Sequence, residues 1–356
     1  MSKKKTRKPT HETTSDVPQP SRRWVLALTG TTALVGAGAV LLAPKKRELS
    51  DSAYLSEDDI AIEYANLYDE IMAARKQAEA EGKKLHIIAA ENHKSPTSLA
   101  YEAMVFSICK TMNIAHANIE FTKEELDYAR QDKSAHLNPS DNIARIMNHV
   151  FTSCKSMQVQ AIDTFFTGVD HRQQVLHREI PQQAYDAIER EFGQKPKYFR
   201  YGVEKQEFQV VMQDSSKDLA AAQLAVREHA RLSVAMDRKR EVIMADNIAA
   251  TGNNSINLVG NHHARNVAKI LSEKGCKTFT ISTTPDLDPV RGALPEEWKE
   301  DIRWLKDSRN ARQPAKRIYP YTDAYGLAIR GMQIAHEKYG VPIPAAVKEM
   351  SIGTAR

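Results

Sequence analysis

The sequence predicts an α/β fold: a largely parallel central sheet flanked by helices, with a helical or irregular insertion. Two observations carry this. Leu85-His86-Ile87-Ile88-Ala89-Ala90 and Ile256-Asn257-Leu258-Val259-Gly260 are short, nearly continuous apolar runs of the kind that form strands buried on both faces. Each run ends in a polar triplet containing His (Glu91-Asn92-His93 and Asn261-His262-His263), then passes into a helical pattern and a further strand. Two such β-α-β units argue for parallel strands with helices on both sides. Ligands of such sheets sit beyond the carboxyl ends of the strands, the rim on which both triplets fall.

Taken in order, Ile60, Ile62, Ala65, Leu67, Ile71 and Met72 recur near helical spacing, so a first helix is expected over 57–81, stopped by Gly82. After the 85–90 strand, Ser95-Pro96-Thr97 can cap and open a helix to about Met112. A strand is expected from Ala115 to Phe121, a helix from Ser140 to Met157 introduced by Asn138-Pro139, and a strand from Val159 to Phe166. Residues 168–216, rich in Gln, aromatics and charge around Pro181 and Pro196, read as the insertion. A long helix follows from about Ser216 to Ala250, ending at Gly252. The second unit comprises the 256–260 strand, a helix from Ala264 to Lys274 stopped by Gly275, and a strand from Thr278 to Ser282. Beyond it lie a loop carrying Pro285, Pro289 and Pro295, and C-terminal helices that the pattern does not place.

The charge is unevenly divided. The 356 residues hold 50 Lys+Arg and 45 Asp+Glu, a net of +5. Residues 1–50 hold 10 of the bases and 3 of the acids, which leaves 40 and 42, a net of −2, for residues 51–356. The globular part, residues 48–356, therefore makes no electrostatic case for nucleic acid. Residues 1–47 form a basic leader: a polar tail, then Ser21-Arg22-Arg23-Trp24-Val25-Leu26, an uncharged Gly/Ala/Thr-rich run to Ala43, and Lys45-Lys46-Arg47. This resembles a twin-arginine export signal, whose partner is the twin-arginine export machinery. Residues 24–43 are also long enough to anchor the chain in the inner membrane. On either reading the excess of positive charge before the segment places the domain outside the cytoplasm, in the periplasm or beyond. Cys109, Cys154 and Cys276 form no C-x-x-C pair and read as small core residues.

Four groups could carry chemistry. Glu91 and His93 close a buried strand, where acid/base residues must face the rim; a polar turn with Asn92 capping the next helix is the alternative. Glu120 closes the 115–121 strand. If that strand neighbours 85–90, the two carboxylates lie close together and raise one another's pKa or share a cation. In Gly260-Asn261-His262-His263, Gly permits close backbone approach, and one His can face a pocket while the other packs or meets solvent. Arg240, with Ile243 and Met244 on the same helix face, must meet an acid or an anionic ligand, because burying it unpaired is costly.

These residues resemble the superfamily that unites erythromycin esterases, Tiki/TraB proteins and ChaN-type haem-uptake lipoproteins. The family's Gly-Glu-x-His matches Ala90-Glu91-Asn92-His93, its strand-end Glu matches Glu120, its Arg-(Asp/Glu)-x-x-Met-Ala helix motif matches Arg240 to Ala245, and its Gly-x-x-His matches Gly260 to His263. Ala90 departs from the family Gly, and Gly260 stands where erythromycin esterases usually carry a further His. The resemblance implies that Glu91, His93, Glu120, Arg240 and His263 surround one pocket. The expected activity is hydrolysis of an ester or amide bond in a small-molecule or peptide substrate. His93 or His263 would act as base, Glu91 or Glu120 as its orienter, and Arg240 as anion clamp. His93, Glu120 and His263 would suit a divalent Zn or Mn ion. The alternative is a haem- or iron-binding uptake protein without turnover.

Overall fold

The computed structural model describes residues 47–92, 95–131, 142–203, 207–283 and 295–350. The leader before Arg47, His93, the Asn138-Pro139 helix start and the loop carrying Pro285 and Pro289 fall outside them.

The chain enters through α1 (Glu57–Ala80), where Ser56 and Asp59 exchange side-chain-to-backbone hydrogen bonds in a capping box. Strand β1 (Leu85–Glu91) leads to α2 (Pro96–Thr111), with Ser95 as cap and Pro96 in the first turn. Then come β2 (His116–Ile119), α3 (Lys123–Arg130), α4 (Asn142–Ser153) and β3 (Gln158–Ala161). The insertion holds α5 (Val169–Gln174), a π-helical turn over Val175–Glu179, α6 (Ile180–Phe192) and the antiparallel hairpin β4 (Tyr198–Gly202) and β5 (Glu207–Val211). The 33-residue α7 (Asp218–Ala250) returns to the sheet at β6 (Ser255–Gly260). The chain closes with α8 (Ala264–Glu273), β7 (Lys277–Ser282), α9 (Glu296–Lys306), α10 (Ala324–Tyr339) and α11 (Ala345–Glu349).

The central sheet is five-stranded and wholly parallel, in the order β3-β2-β6-β1-β7. Helices cover both faces, as the continuous apolar runs require. Leu85, Ile87 and Ala89 of β1, with Ile256 and Leu258 of β6, pack against α1, α2, α4 and α10. Ile88, Ala90 and Val259 point the other way, into α7 and α8. The α/β expectation therefore holds.

Several details differ. Strands β1 and β2 are not neighbours, because β6 lies between them. Adjacency in the chain is not adjacency in the sheet, and β6, buried at all six positions, takes the centre. The strand expected to reach Phe166 stops at Ala161. Ile162 then donates its N–H to the carbonyl of Ile119, and Asp163 donates to that of Phe121, so the chain wraps the carboxyl end of β2. This delivers Asp163 to the rim. The insertion is more regular than expected, and its Ala184, Ile188, Val210 and Met212 form a small core with Ala221 and Ala225 of α7. All three cysteines are free, Cys109 and Cys154 within the core.

Candidate functional site

The site is a chain of buried charges on the carboxyl rim between β2 and β6. Glu120 follows directly on β2. Its Oε2 accepts the N–H of Gly260 at 2.7 Å and its Oε1 accepts Arg240 Nη2 at 2.7 Å. A Cβ at Gly260 would lie 3.4 Å from Glu120 Oε2 and 3.6 Å from His263 Cδ2, ordinary contact distances, so the approach is close without depending on glycine. Glu91 pairs in register with Gly260 on the opposite side of β6, and its carbonyl accepts the N–H of Asn261 at 3.2 Å. Glu91 and Glu120 are thus separated by two strand spacings, roughly 10 Å of backbone, instead of sharing one position. His93 lies outside the described residues, so its expected place beside them is not on view.

Helix α7 crosses over the rim and supplies Asp237, Arg238, Arg240 and Glu241 in a single turn. Arg240 is nine-tenths buried, as its apolar neighbours on the helix foretell, and it is saturated by protein. Its Nε and Nη2 donate to Asp163 Oδ2 (3.1 and 2.7 Å), Nη2 also to Glu120, and Nη1 to Asp237 Oδ1 at 3.0 Å. Its face stacks 5.5 Å from the centre of the Phe166 ring. Burial opposes its charge, but Glu120 and Asp163 hold the guanidinium protonated even more firmly than usual. Four of its five N–H groups are committed to carboxylates and the fifth faces His263. Arg240 is therefore a positioning residue; it has no donor left to clamp a substrate.

His263, at the start of α8, is 1% exposed and lies between two carboxylates. Nδ1 is 3.0 Å from Glu241 Oε1, and Nε2 is 3.3 Å from Glu120 Oε1. Burial pulls its pKa down, but Glu120, Glu241 and Asp237 outweigh that and push it up to about 10. His263 is thereby favoured as an imidazolium, whereas the sequence reading offered it as a candidate base. Burial pushes Glu120 the other way, but His263, Arg240 and the Gly260 N–H hold its pKa well below the usual carboxylate range.

His262 is the accessible member of the pair, its side chain 40% exposed. Its ring lies 4.0 Å from that of His263 and 5.2 Å from Trp298. Loss of hydration beneath the packed ring and the charge of His263 push its pKa well below the ordinary value, so it is neutral at pH 7. Its Nε2 is 3.8 Å from Asp237 Oδ2, a separation that a water can bridge. Burial raises the Asp237 pKa against the pull of His263 and Arg240.

A second layer holds this arrangement. Arg238 bonds both oxygens of Glu241 (2.8 and 2.9 Å) and reaches Asp301 of α9 at 2.8 Å. Asn266 donates to Glu241 Oε2 at 3.0 Å. Arg172, from the insertion, joins Asp163 (3.2 Å) to Glu125 (2.8 Å) and lies 5.5 Å from the centre of the Phe166 ring. Two donors at this rim, Arg172 Nε and Trp298 Nε1, are buried without a hydrogen-bond partner among the described residues. Sequence reasoning missed Asp163, Asp237, Arg172, Trp298 and the use of His262. An acid three residues before Arg240 was the one legible signal, since i and i+3 share a helix face.

Asp237, His262 and His263 bring ligand-type atoms within 4.8 Å of one another. They do not fit a cation well. Both His263 nitrogens already face carboxylates, and Arg240 Nη1 stands 3.3 Å from Nε2. The expected Glu120 and His263 pair fares no better, since both Glu120 oxygens are engaged and one holds a guanidinium. The same engagement leaves no His263 nitrogen for axial haem ligation. A cleft of about 910 Å³ lies elsewhere, along the outer edge of β7. No protein-family model, no curated protein and no solved structure matches the chain.

Proposed function

We propose that the rim is the active site of a hydrolase acting on an ester or amide bond outside the cytoplasm, to which the leader delivers the domain. The observation that carries this reading is the pairing of a neutral, accessible His262 with a buried, charged His263. One fold here holds two adjacent imidazoles in opposite protonation states, the division of labour that acid–base chemistry needs. Such a density of buried charge contributes little to stability in itself and is expected where chemistry requires it.

In this reading His262 accepts a proton from a water that attacks the acyl carbon, and returns it to the leaving oxygen or nitrogen. Asp237 steadies the transient imidazolium. The adjacent His263 charge keeps that imidazolium acidic, so the proton is passed on readily. The free N–H groups of Arg172 and Trp298 are the donors available to the developing oxyanion, and each such contact is commonly worth a factor of roughly 10²–10³. Glu241 and Arg240 keep His263 in place. The family resemblance supports the same reaction class but assigned the base differently.

A panel of p-nitrophenyl esters and aminoacyl p-nitroanilides, offered to the full chain, tests the proposal. Turnover is expected from the wild type, with Arg172→Lys slower through kcat at little change in KM. A wild type inert towards both panels counts against hydrolysis. No observation at the rim favours haem or iron uptake.

A further inference from the structure

We propose that the cleft along the outer edge of β7 is a docking site for an extended peptide, which joins the central sheet as an additional strand. The cleft runs between α1, the chain at 47–49 and the segment 308–315. Its floor is the sheet edge, because β7 pairs with β1 on one side only. Lys277 donates its N–H to the carbonyl of Lys84 and Thr283 donates to Ala90, so the odd-numbered residues turn their amides towards β1. The even-numbered ones face outwards, because backbone groups alternate along a strand. Of these, Ser282 donates to the carbonyl of Arg312, and the carbonyl of Thr280 accepts the N–H of Arg312. Arg312 therefore already pairs as a one-residue strand at the far end of this edge.

The near end is open. The N–H and carbonyl of Thr278 and the N–H of Thr280 have no partner among the described residues. Thr280 is only 6% exposed. Its outward N–H and the outward groups of Thr278 face the cleft, where a peptide backbone can supply the partners that a strand edge lacks. An uncovered edge strand beside a cleft is the geometry of strand addition, in which main-chain bonds hold the peptide. The lining favours a peptide without strong net charge, since Arg47, Arg309 and Arg312 are matched by Glu48, Glu63 and Glu70. Arg312 is itself paired with Glu63 and Glu70. The open edge takes about three to five residues at roughly 3.3 Å each. This site is independent of the hydrolase reading and lies on a different edge of the sheet.

The test uses the full chain and fluorescein-labelled, N-acetylated, C-amidated heptapeptides, varied through Thr, Val, Ser and Leu at each position, followed by fluorescence anisotropy. The best binder is then resynthesised with alternate amides N-methylated, once in each register. Saturable binding is expected, with at least about a tenfold loss in one register and under about twofold in the other, the period of two that strand pairing imposes. Bound peptide should also slow hydrogen exchange at the Thr278 and Thr280 amides. Thr278→Pro, which removes an outward N–H without touching the β1 ladder, should weaken binding by a similar factor. Should that variant fail to fold, the methylated peptides still decide. Absence of saturable binding, equal losses in both registers, or unchanged exchange at Thr278 and Thr280 overturns the proposal.

Discussion

Arg240 Nη1 lies 3.3 Å from His263 Nε2, so two groups that are cationic at neutral pH meet inside the protein. Alone, such a contact would drive one proton off. It persists because Glu120 bonds both partners, Asp163 and Asp237 bond the arginine, and Glu241 bonds the far side of the imidazole. The rim is thus a preorganised set of charges, and its pH dependence follows from which partner lets go first.

His263 has a folded-state pKa of about 10 against an ordinary 6.5, a raised base. Its contribution to stability is complete below about pH 6.5 and is lost as pH rises through about 10, at most about 5 kcal/mol in all. Glu120, held low, acts in the opposite sense: its contribution is present above the ordinary carboxylate range and is lost as acid protonates it. Thermal melts from pH 6 to 10 should show the wild type losing stability more steeply than His263→Gln. Parallel curves for the two proteins would place the imidazolium elsewhere.

Arg240→Ala leaves Glu120, Asp163 and Asp237 buried without their cation, at a cost of about 3–5 kcal/mol. Arg240→Lys should recover only part of this, because an ammonium cannot reproduce the fork to Glu120 and Asp163. His262→Gln, on the open side, should stay within about 0.5 kcal/mol of wild type. Denaturant melts of the three rank them directly. A His262→Gln loss equal to that of Arg240→Ala would make the pair a structural unit.

Much of the fold was legible because β1 and β6 advertise themselves as apolar runs and α2 by Ser95-Pro96. Strand order was not, since nothing in the chain says that β6 inserts between β1 and β2. That one permutation moved Glu91 away from Glu120 and put Gly260 between them. Asp163 was hidden because the 159–166 stretch alternates like a strand, while the chain leaves the sheet at Ala161. Of the two adjacent histidines, the sequence reading favoured His263 as base, and the proposed reading moves that role to His262. The choice rests on Glu241, one helical turn away on α7 and 3.0 Å from His263.

Arg22 and Arg23 should be required for the domain to leave the cytoplasm if the leader is a twin-arginine signal. Among the described residues no helix is long and apolar enough to cross a membrane. Replacing both arginines with Lys and fractionating cells should strand the protein inside. Normal external levels of the double variant would favour a simple signal anchor.

The central claim, that His262 is the working base beside a permanently charged His263, is tested most directly by the pH profile of kcat/KM on the best chromogenic substrate. The wild type should run on a plateau from about pH 6.5 to 9, because His262 is already neutral, and should fall as His263 loses its proton near pH 10. His262→Gln should lower that plateau by roughly 10²–10⁴-fold with its melt unchanged. An acid limb centred near pH 6.5, or a His262→Gln variant within twofold of wild type, would contradict the assignment.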